Sequence, residues 1–369
     1  MTRACPDCLT RARLLEGLAS RIELLASRPQ RPVRQLLNLS NADLLQATGV
    51  PEGDRRALVA AARAAAAADA DRPGSDGGVV CLHDDAYPAR LRELPDVPWA
   101  LFHTGPLDRL ERLTAEKPVA LVGSRQPSAQ AEQNAYALGR RLGAAGVTVV
   151  SGLAFGIDAA SHRGALAAGG GAIAVLASGA DRASPVRNRA LYNEVRGEGS
   201  VVSEMPWGAR PWRWMFPARN RIMAALAEMT VVVEATERSG SLITATFALD
   251  LGRAVGAMPG PAGARLSEGN NLLIRDGCTP VRNATDVLDA VYSVGAAGQA
   301  EADGGRRRIA DDPVLCKLLD SVEVGETLEQ MARRSGLRAR ELRGALARLE
   351  QIGLIRRSGL RGYVATTTG

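Results

Sequence analysis

Histidine, lysine and aromatic side chains are scarce in this chain, and long apolar runs are missing. No stretch is apolar for long enough to cross a bilayer. The first residues lack the apolar core of a secretory signal. A cytoplasmic protein without membrane contact is therefore expected. The cysteines, Cys5, Cys8, Cys81, Cys278 and Cys316, are odd in number with one close pair, which is no disulfide framework and suits reduced thiols. Cys5-Pro6-Asp7-Cys8 is a single C-x-x-C with no second pair, and it is read as a frayed N-terminal segment. His83, His103 and His162 stand at no metal-ligand spacing with a cysteine or with one another, so no metal is expected. Neither G-x-G-x-x-G nor the Walker G-x-x-x-x-G-K-[ST] occurs, which argues against a nicotinamide cofactor or a nucleoside triphosphate. G-x-S-x-G, the nucleophile elbow of acyl-transfer enzymes, is also missing. No cofactor is expected.

What is present is an ordinary globular balance, 46% hydrophobic and 23% charged over 369 residues, long enough for two or three domains. The net charge of +6 is compatible with nucleic acid but does not select it. Residues 1–75 read as a helical domain: Leu14, Leu15, Leu18, Ile22 and Leu25 recur at helical spacing, and Ser40-Asn41 offers an N-cap. The alanine-rich run Ala60 to Ala70 is helical by propensity and ends in a Pro/Gly/Asp linker over 71–78.

Residues 79–295 have a different rhythm. Apolar runs at Val119–Val122, Val147–Val150, Ile173–Leu176, Ser200–Ser203, Val231–Glu234 and Ala254–Met258 each end in a small-residue turn followed by a helical pattern. That alternation predicts an α/β domain with a Rossmann-like, doubly wound parallel sheet. A second linker spans 296–308. Residues 310–369 carry three short helical patterns and a possible hairpin, the outline of a winged-helix domain.

Open parallel sheets bind ligands beyond the carboxyl ends of their strands. The turns there are Gly123-Ser124-Arg125, then Ser151-Gly152 running on to Gly156, then Ser239-Gly240-Ser241. They are small, rich in backbone N–H groups and lead into helix N-termini, which favours anions. Arg125 adds a fixed positive charge. The strand ends thus read as an extended phosphate-binding rim.

Six ordered motifs over about 160 residues go further: Val122-Gly123-Ser124-Arg125; Ser151-Gly152-Leu153-Ala154-Phe155-Gly156-Ile157-Asp158; Phe216-Pro217-Ala218-Arg219-Asn220-Arg221-Ile222; Val231 to Ala235 with Arg238-Ser239-Gly240-Ser241-Leu242-Ile243-Thr244-Ala245; Pro259-Gly260; and Ser267 to Ile274. Together they resemble the DNA processing protein A (DprA/Smf) family. The resemblance implies single-stranded DNA binding with little sequence preference, a homodimer formed through the Rossmann domain, loading of the RecA recombinase during natural transformation, and no nucleotide hydrolysis. It also implies a DNA site that includes Gly123, Ser124, Arg125, Arg219, Asn220 and Arg221. Members often carry a helical (SAM-like) N-terminal domain and a C-terminal winged helix. A further basic segment departs from the family pattern, reading Ala183-Ser184-Pro185-Val186-Arg187-Asn188-Arg189; Arg187 or Arg189 could supply its charge, and Arg187 and Asn188 are its candidate contacts.

Several residues have competing structural readings. Arg125 could pair with a strand-end carboxylate instead of phosphate, and Ser239 could simply cap a helix. His162 is read as fixing its loop by hydrogen bonding, and Glu234 as a structural anchor. Trp207, Trp212, Trp214 and Phe216 are read as packing in preference to base stacking. Arg338, Arg340, Arg343 and Arg348 suit either a recognition helix or a protein-interaction module. Two other functions compete with the main reading. One is a nucleotide phosphoribohydrolase-like enzyme on a related fold, although the Glu of its "PGGxGTxxE" signature is missing here. The other is a transcription regulator that reads duplex DNA through the winged helix.

Overall fold

The computed structural model of the chain describes residues 4–27, 33–70, 77–292, 309–310, 312–358 and 362–365. Most of linker 71–78 and all of linker 296–308 lie outside these residues.

Five helices open the chain: α1 (Pro6–Gly17), α2 (Ala19–Ala26), α3 (Val33–Leu37), α4 (Asn41–Ala47) and α5 (Glu52–Ala70). The expected cap is in place, with the Ser40 hydroxyl accepting from the Asp43 N–H at 3.2 Å. Leu14, Leu15, Leu18 and Ile22 bury one stripe against Leu36, Leu37, Leu44 and Leu45. The start of α1 is not frayed: Cys8 and Leu9 are fully buried against Val79, Cys81 and Phe102.

The central unit holds nine strands: β1 (Gly77–Cys81), β2 (Ala100–Thr104), β3 (Val119–Val122), β4 (Val149–Ser151), β5 (Ala172–Val175), β6 (Ser200–Ser203), β7 (Met229–Val232), β8 (Ala254–Ala257) and β9 (Thr279–Pro280). Helices between and after them are α6 (Leu107–Ala115), α7 (Ala129–Ala144), α8 (Ile157–Ala167), α9 (Arg189–Glu198), α10 (Met215–Leu226), α11 (Gly240–Asp250), α12 (Glu268–Arg275) and α13 (Ala284–Tyr292). The sheet order is β1-β2-β6-β5-β4-β3-β7-β8-β9. Strands β3 to β9 are parallel, as the unbroken apolar runs require of strands covered on both faces. Strands β1 and β2 are additions that the strand pattern did not reveal. They run antiparallel at one edge, so the sheet is mixed and not wholly parallel.

The pleat sorts side chains between two layers. Val119 and Leu121 meet α7, α8 and α13 on one face. Ala120 and Val122 meet α10 and α11 on the other. Helices α7 and α8 touch backbone to backbone. A Cβ on Gly164 would lie 2.1 Å from the Tyr136 carbonyl, and one on Gly139 would lie 2.3 Å from that of Ser161. The N-terminal helices dock on the start of α10, where the Trp214 indole donates to the Ala19 carbonyl at 3.1 Å. Trp207 meets Phe102 edge-on at 5.3 Å, so both tryptophans are packing residues.

After residue 308, α14 (Pro313–Glu323), α15 (Leu328–Ser335) and α16 (Ala339–Ile352) enclose their own apolar core, followed by an antiparallel pair, β10 (Ile355–Ser358) and β11 (Gly362–Ala365). A Thr327–Gln330 capping box starts α15, and Gly353, at φ +85°, ends α16.

One arginine holds the junction between the antiparallel edge and α10. Arg221 is wholly buried, forks onto Glu204 at 2.8 and 3.0 Å, and reaches the Asp96 carboxylate at 3.0 Å. Burial disfavours its charge, but the two carboxylates outweigh burial and raise its pKa. This overturns its expected role at the DNA site, because every donor is spent inside the protein. Arg221→Met should strip Glu204 of its forked partner and leave buried Asp96 with only Arg34, at 3.5 Å, and cost roughly 3–5 kcal/mol. Urea unfolding checks this, and a loss below about 1 kcal/mol would contradict it.

Candidate functional site

The chain reverses its winding at β3: it steps to β4, β5 and β6 on one side, then returns to β7 on the other. A cleft of about 320 Å³ opens there, at the carboxyl ends of the strands. The loops after β3, β4 and β7 build it, together with one face of α10.

The loop after β3 begins at Gly123, where a Cβ would meet Ile157 Cγ1 at 2.7 Å and the Glu234 carbonyl at 2.9 Å. Only glycine leaves that crossing free of a clash. The Ser124 N–H donates to the Glu234 carbonyl at 2.7 Å, and its hydroxyl accepts from the Gln126 N–H at 3.1 Å. Arg125 is exposed at the lip, its guanidinium 5.1 Å from the centre of the Phe216 ring. Among the described residues no carboxylate lies within ion-pair distance of it. The internal salt bridge therefore does not form.

The loop after β7 enters α11 through Ser239, whose hydroxyl lies 2.7 Å from that of Ser241 and accepts weakly from the Ser241 N–H at 3.4 Å. Gly240 is exposed between them. Ser239 thus caps the helix and faces the cleft at once. The Asn220 amide donates to the Gly240 carbonyl at 3.2 Å, tying α10 to this loop.

The loop after β4 supports the cleft from beneath. Ser151 is buried and donates to the Leu121 carbonyl at 2.7 Å, so its hydroxyl is unavailable to a ligand, contrary to expectation. Gly152 is also buried; a Cβ there would fall 2.0 Å from a terminal nitrogen of Arg219. Its part is to make room for that arginine, not to meet a ligand. Gly156, at φ +72°, turns the chain into α8, and a Cβ there would strike Pro127 and the Ser124 carbonyl, both at 2.5 Å.

Arg219 occupies the space under the cleft. It donates to the Gly152 carbonyl at 2.8 Å, to the Val175 carbonyl, and through Nε to the Asn220 side-chain oxygen at 3.1 Å. Its nearest anion is Asp158, at 3.9 Å. Burial lowers the Arg219 pKa to about 10, with Asp158 opposing the shift. Burial likewise pushes the Asp158 carboxyl up, with Arg219 opposing it. Asp158 also accepts from the N–H groups of Gly152 and Ala154 at 3.2 and 3.3 Å. The sequence reading missed this acid because an Asp beside Gly156 and Ile157 looks like an ordinary first-turn residue.

Arg187 is exposed but is not among the residues that line the cleft. Asn188 braces the β4 loop, donating to the carbonyls of Leu153 and Ala154 at 2.9 and 3.3 Å. Glu234 is an anchor: its two oxygens accept from the Ser128 N–H and hydroxyl, both at 2.7 Å, at the start of α7. His162 is fully buried, its ring facing the Ser151 backbone at the end of β4.

Fold and cleft together define a Rossmann-type α/β protein whose strand-end cleft is lined by small-residue loops, by the apolar side chains of Phe216, Met223 and Ile243, and by one exposed arginine, Arg125. The chain belongs to the DNA recombination-mediator protein A family, whose pattern it matches over residues 78–292. It is 42% identical over 205 residues to the DNA processing protein DprA of Streptococcus pneumoniae, spanning 56% of this chain and 71% of that one. The X-ray structure of DprA from Streptococcus pneumoniae superposes with a TM-score of 0.60 at 31% identity, over 79% of this chain and 99% of the other. The Helicobacter pylori DNA processing protein A, described for its single-stranded DNA binding mode, superposes with a TM-score of 0.52 at 26% identity, over 57% of this chain and 94% of its own.

Burial lowers the His162 pKa to about 4. The unfolded chain takes up this proton near pH 6.5 and the folded chain only near 4, so acid favours unfolding. Stability should be full above pH 6.5 and fall by roughly 3 kcal/mol between there and pH 4 through this residue alone. Urea titrations of His162→Asn should show a shallower decline than wild type over that window. Parallel declines would contradict the assignment.

Proposed function

We propose that this protein grips the backbone of single-stranded DNA along the strand-end rim and passes it to the RecA recombinase, as a homodimer in the cytoplasm. In this reading residues 1–75, 79–295 and 310–369 are a helical, a DNA-binding and a winged-helix domain. The observation that carries the proposal is Arg125: an exposed guanidinium, with no carboxylate within ion-pair distance among the described residues, set at the lip of a cleft lined by Gly123, Ser124, Ser239, Gly240 and Ser241. Such a surface meets phosphate through fixed charge and N–H donors without reading a base. The family and the named binding mode of the Helicobacter pylori relative support the same ligand.

The hydrolase alternative is not favoured. Glu234 is the carboxylate that such chemistry would use at this strand end, and both its oxygens are held by Ser128.

Binding of the full chain to labelled poly-dT and to a matched duplex, across a salt series, tests the proposal. Single strand should be preferred, with a log–log salt slope of about −0.7 per phosphate neutralised. Arg125→Ala should weaken binding about tenfold and flatten the slope by about 0.7. Equal or stronger duplex binding would sink the proposal. Single-strand preference that survives Arg125→Ala unchanged would sink the assigned site.

A further inference from the structure

A second cluster of chemistry-bearing side chains lies at the sheet's outer edge. Strand β1 is five places from β3 in the sheet, about 24 Å at the usual strand spacing. There Cys81, the last residue of β1, and His83, two residues on, meet Cys5 and Cys8 at the start of α1. The four donor atoms all lie within 4.8 Å of one another.

The distances have the form of a coordination shell. His83 Nδ1 is 3.6 Å from Cys5 Sγ, 3.5 Å from Cys8 Sγ and 4.0 Å from Cys81 Sγ. With Zn–S near 2.3 Å and Zn–N near 2.05 Å, the sulfur–nitrogen edge of a tetrahedron is about 3.6 Å. Hydrogen bonding does not account for the convergence, because Nδ1 offers a single donor or acceptor position and three sulfurs crowd it. Among the described residues no carboxylate takes part.

We propose that Cys5, Cys8, Cys81 and His83 hold one zinc ion in a closed, structural Cys3His site that fastens the first helix to the edge strand. Thiolate and imidazole donors select zinc over the hard cations. Four protein ligands leave no open position, so the ion is structural. The backbone supports the charge: the Cys5 N–H donates to Cys81 Sγ at 3.4 Å, and the start of α1 supplies the positive end of its dipole. On binding, the ion replaces the thiol protons, which pass to solvent. The expectation of no metal arose because the two ligand pairs, C-x-x-C and C-x-H, stand more than seventy residues apart and only the fold joins them. The other two cysteines, Cys278 and Cys316, are not part of the cluster.

The test is metal analysis of the full chain, purified under reducing conditions without chelator and then supplied with zinc. About one zinc per chain should be retained. Cobalt in its place should give the intense visible absorption of a tetrahedral thiolate site. His83→Ala changes an exposed side chain and should keep the fold while weakening metal retention at least tenfold. Cys8→Ser should abolish the cobalt spectrum. A folded wild-type chain that retains no zinc and gives no cobalt spectrum would overturn the proposal. So would undiminished zinc in both variants. A Cys5–Cys8 disulfide as the resting state of a metal-free chain would overturn it in favour of a redox pair.

Discussion

Everything at the cleft rests on one buried guanidinium. Arg219 bonds the carbonyls at the ends of β4 and β5, holds the side chain of Asn220, and faces Asp158 at the start of α8. A charge so far from water is tolerable only when its donors are met and an anion is near. The requirement runs outward. Position 152 must lack a side chain, Asp158 must point inward, and α10 must cross the sheet at this height. Asn220 then ties α10 to the β7 loop. The cleft floor is thus a polar network, and the residues free to meet a ligand stand above it.

This arrangement divides the arginines of the cleft by role. Arg125 is exposed and rests on Phe216; Arg219 is a buried brace; Arg221, two residues further along the same helix, serves a different junction with Glu204 and Asp96. A ligand that needs positive charge meets it at the lip, with the floor acting by holding the lip's loops in place. Replacing a floor residue would perturb the cleft through the fold, whereas replacing Arg125 removes a contact and little else.

Six of the seven parallel strands were legible in the sequence because burial on both faces demands continuous apolar residues; the exposed two-residue edge strand β9 was not. Val119–Val122 and Ser200–Ser203 fall where the runs predict, and the other four lie within about two residues of prediction. Strands β1 and β2 were not legible. One opens on two glycines and the other follows a Pro-containing segment, and the two are joined by a stretch without an α-helix, which breaks the βαβ rhythm. The loops of the rim were legible from small residues after apolar runs. Which polar side chains face outward was not. Ser151 and Arg221 share residue types with true surface groups, and only packing shows that the first bonds a strand carbonyl and the second a pair of acids. The cysteine–histidine cluster was hidden for a related reason, since ligand spacing along a chain says nothing about segments that a sheet edge brings together.

The glycine seam between α7 and α8 has a consequence for how anything binds here. Gly139 and Gly164 let the two helices touch without intervening side chains, and the loops after β3 and β4 lead directly into them. Their spacing is set by backbone against backbone, which has no rotamers to rearrange. These loops behave as a stiff jaw with a factory-set gap. A guest settling between them asks for little loop ordering, so that part of the cost of association is small.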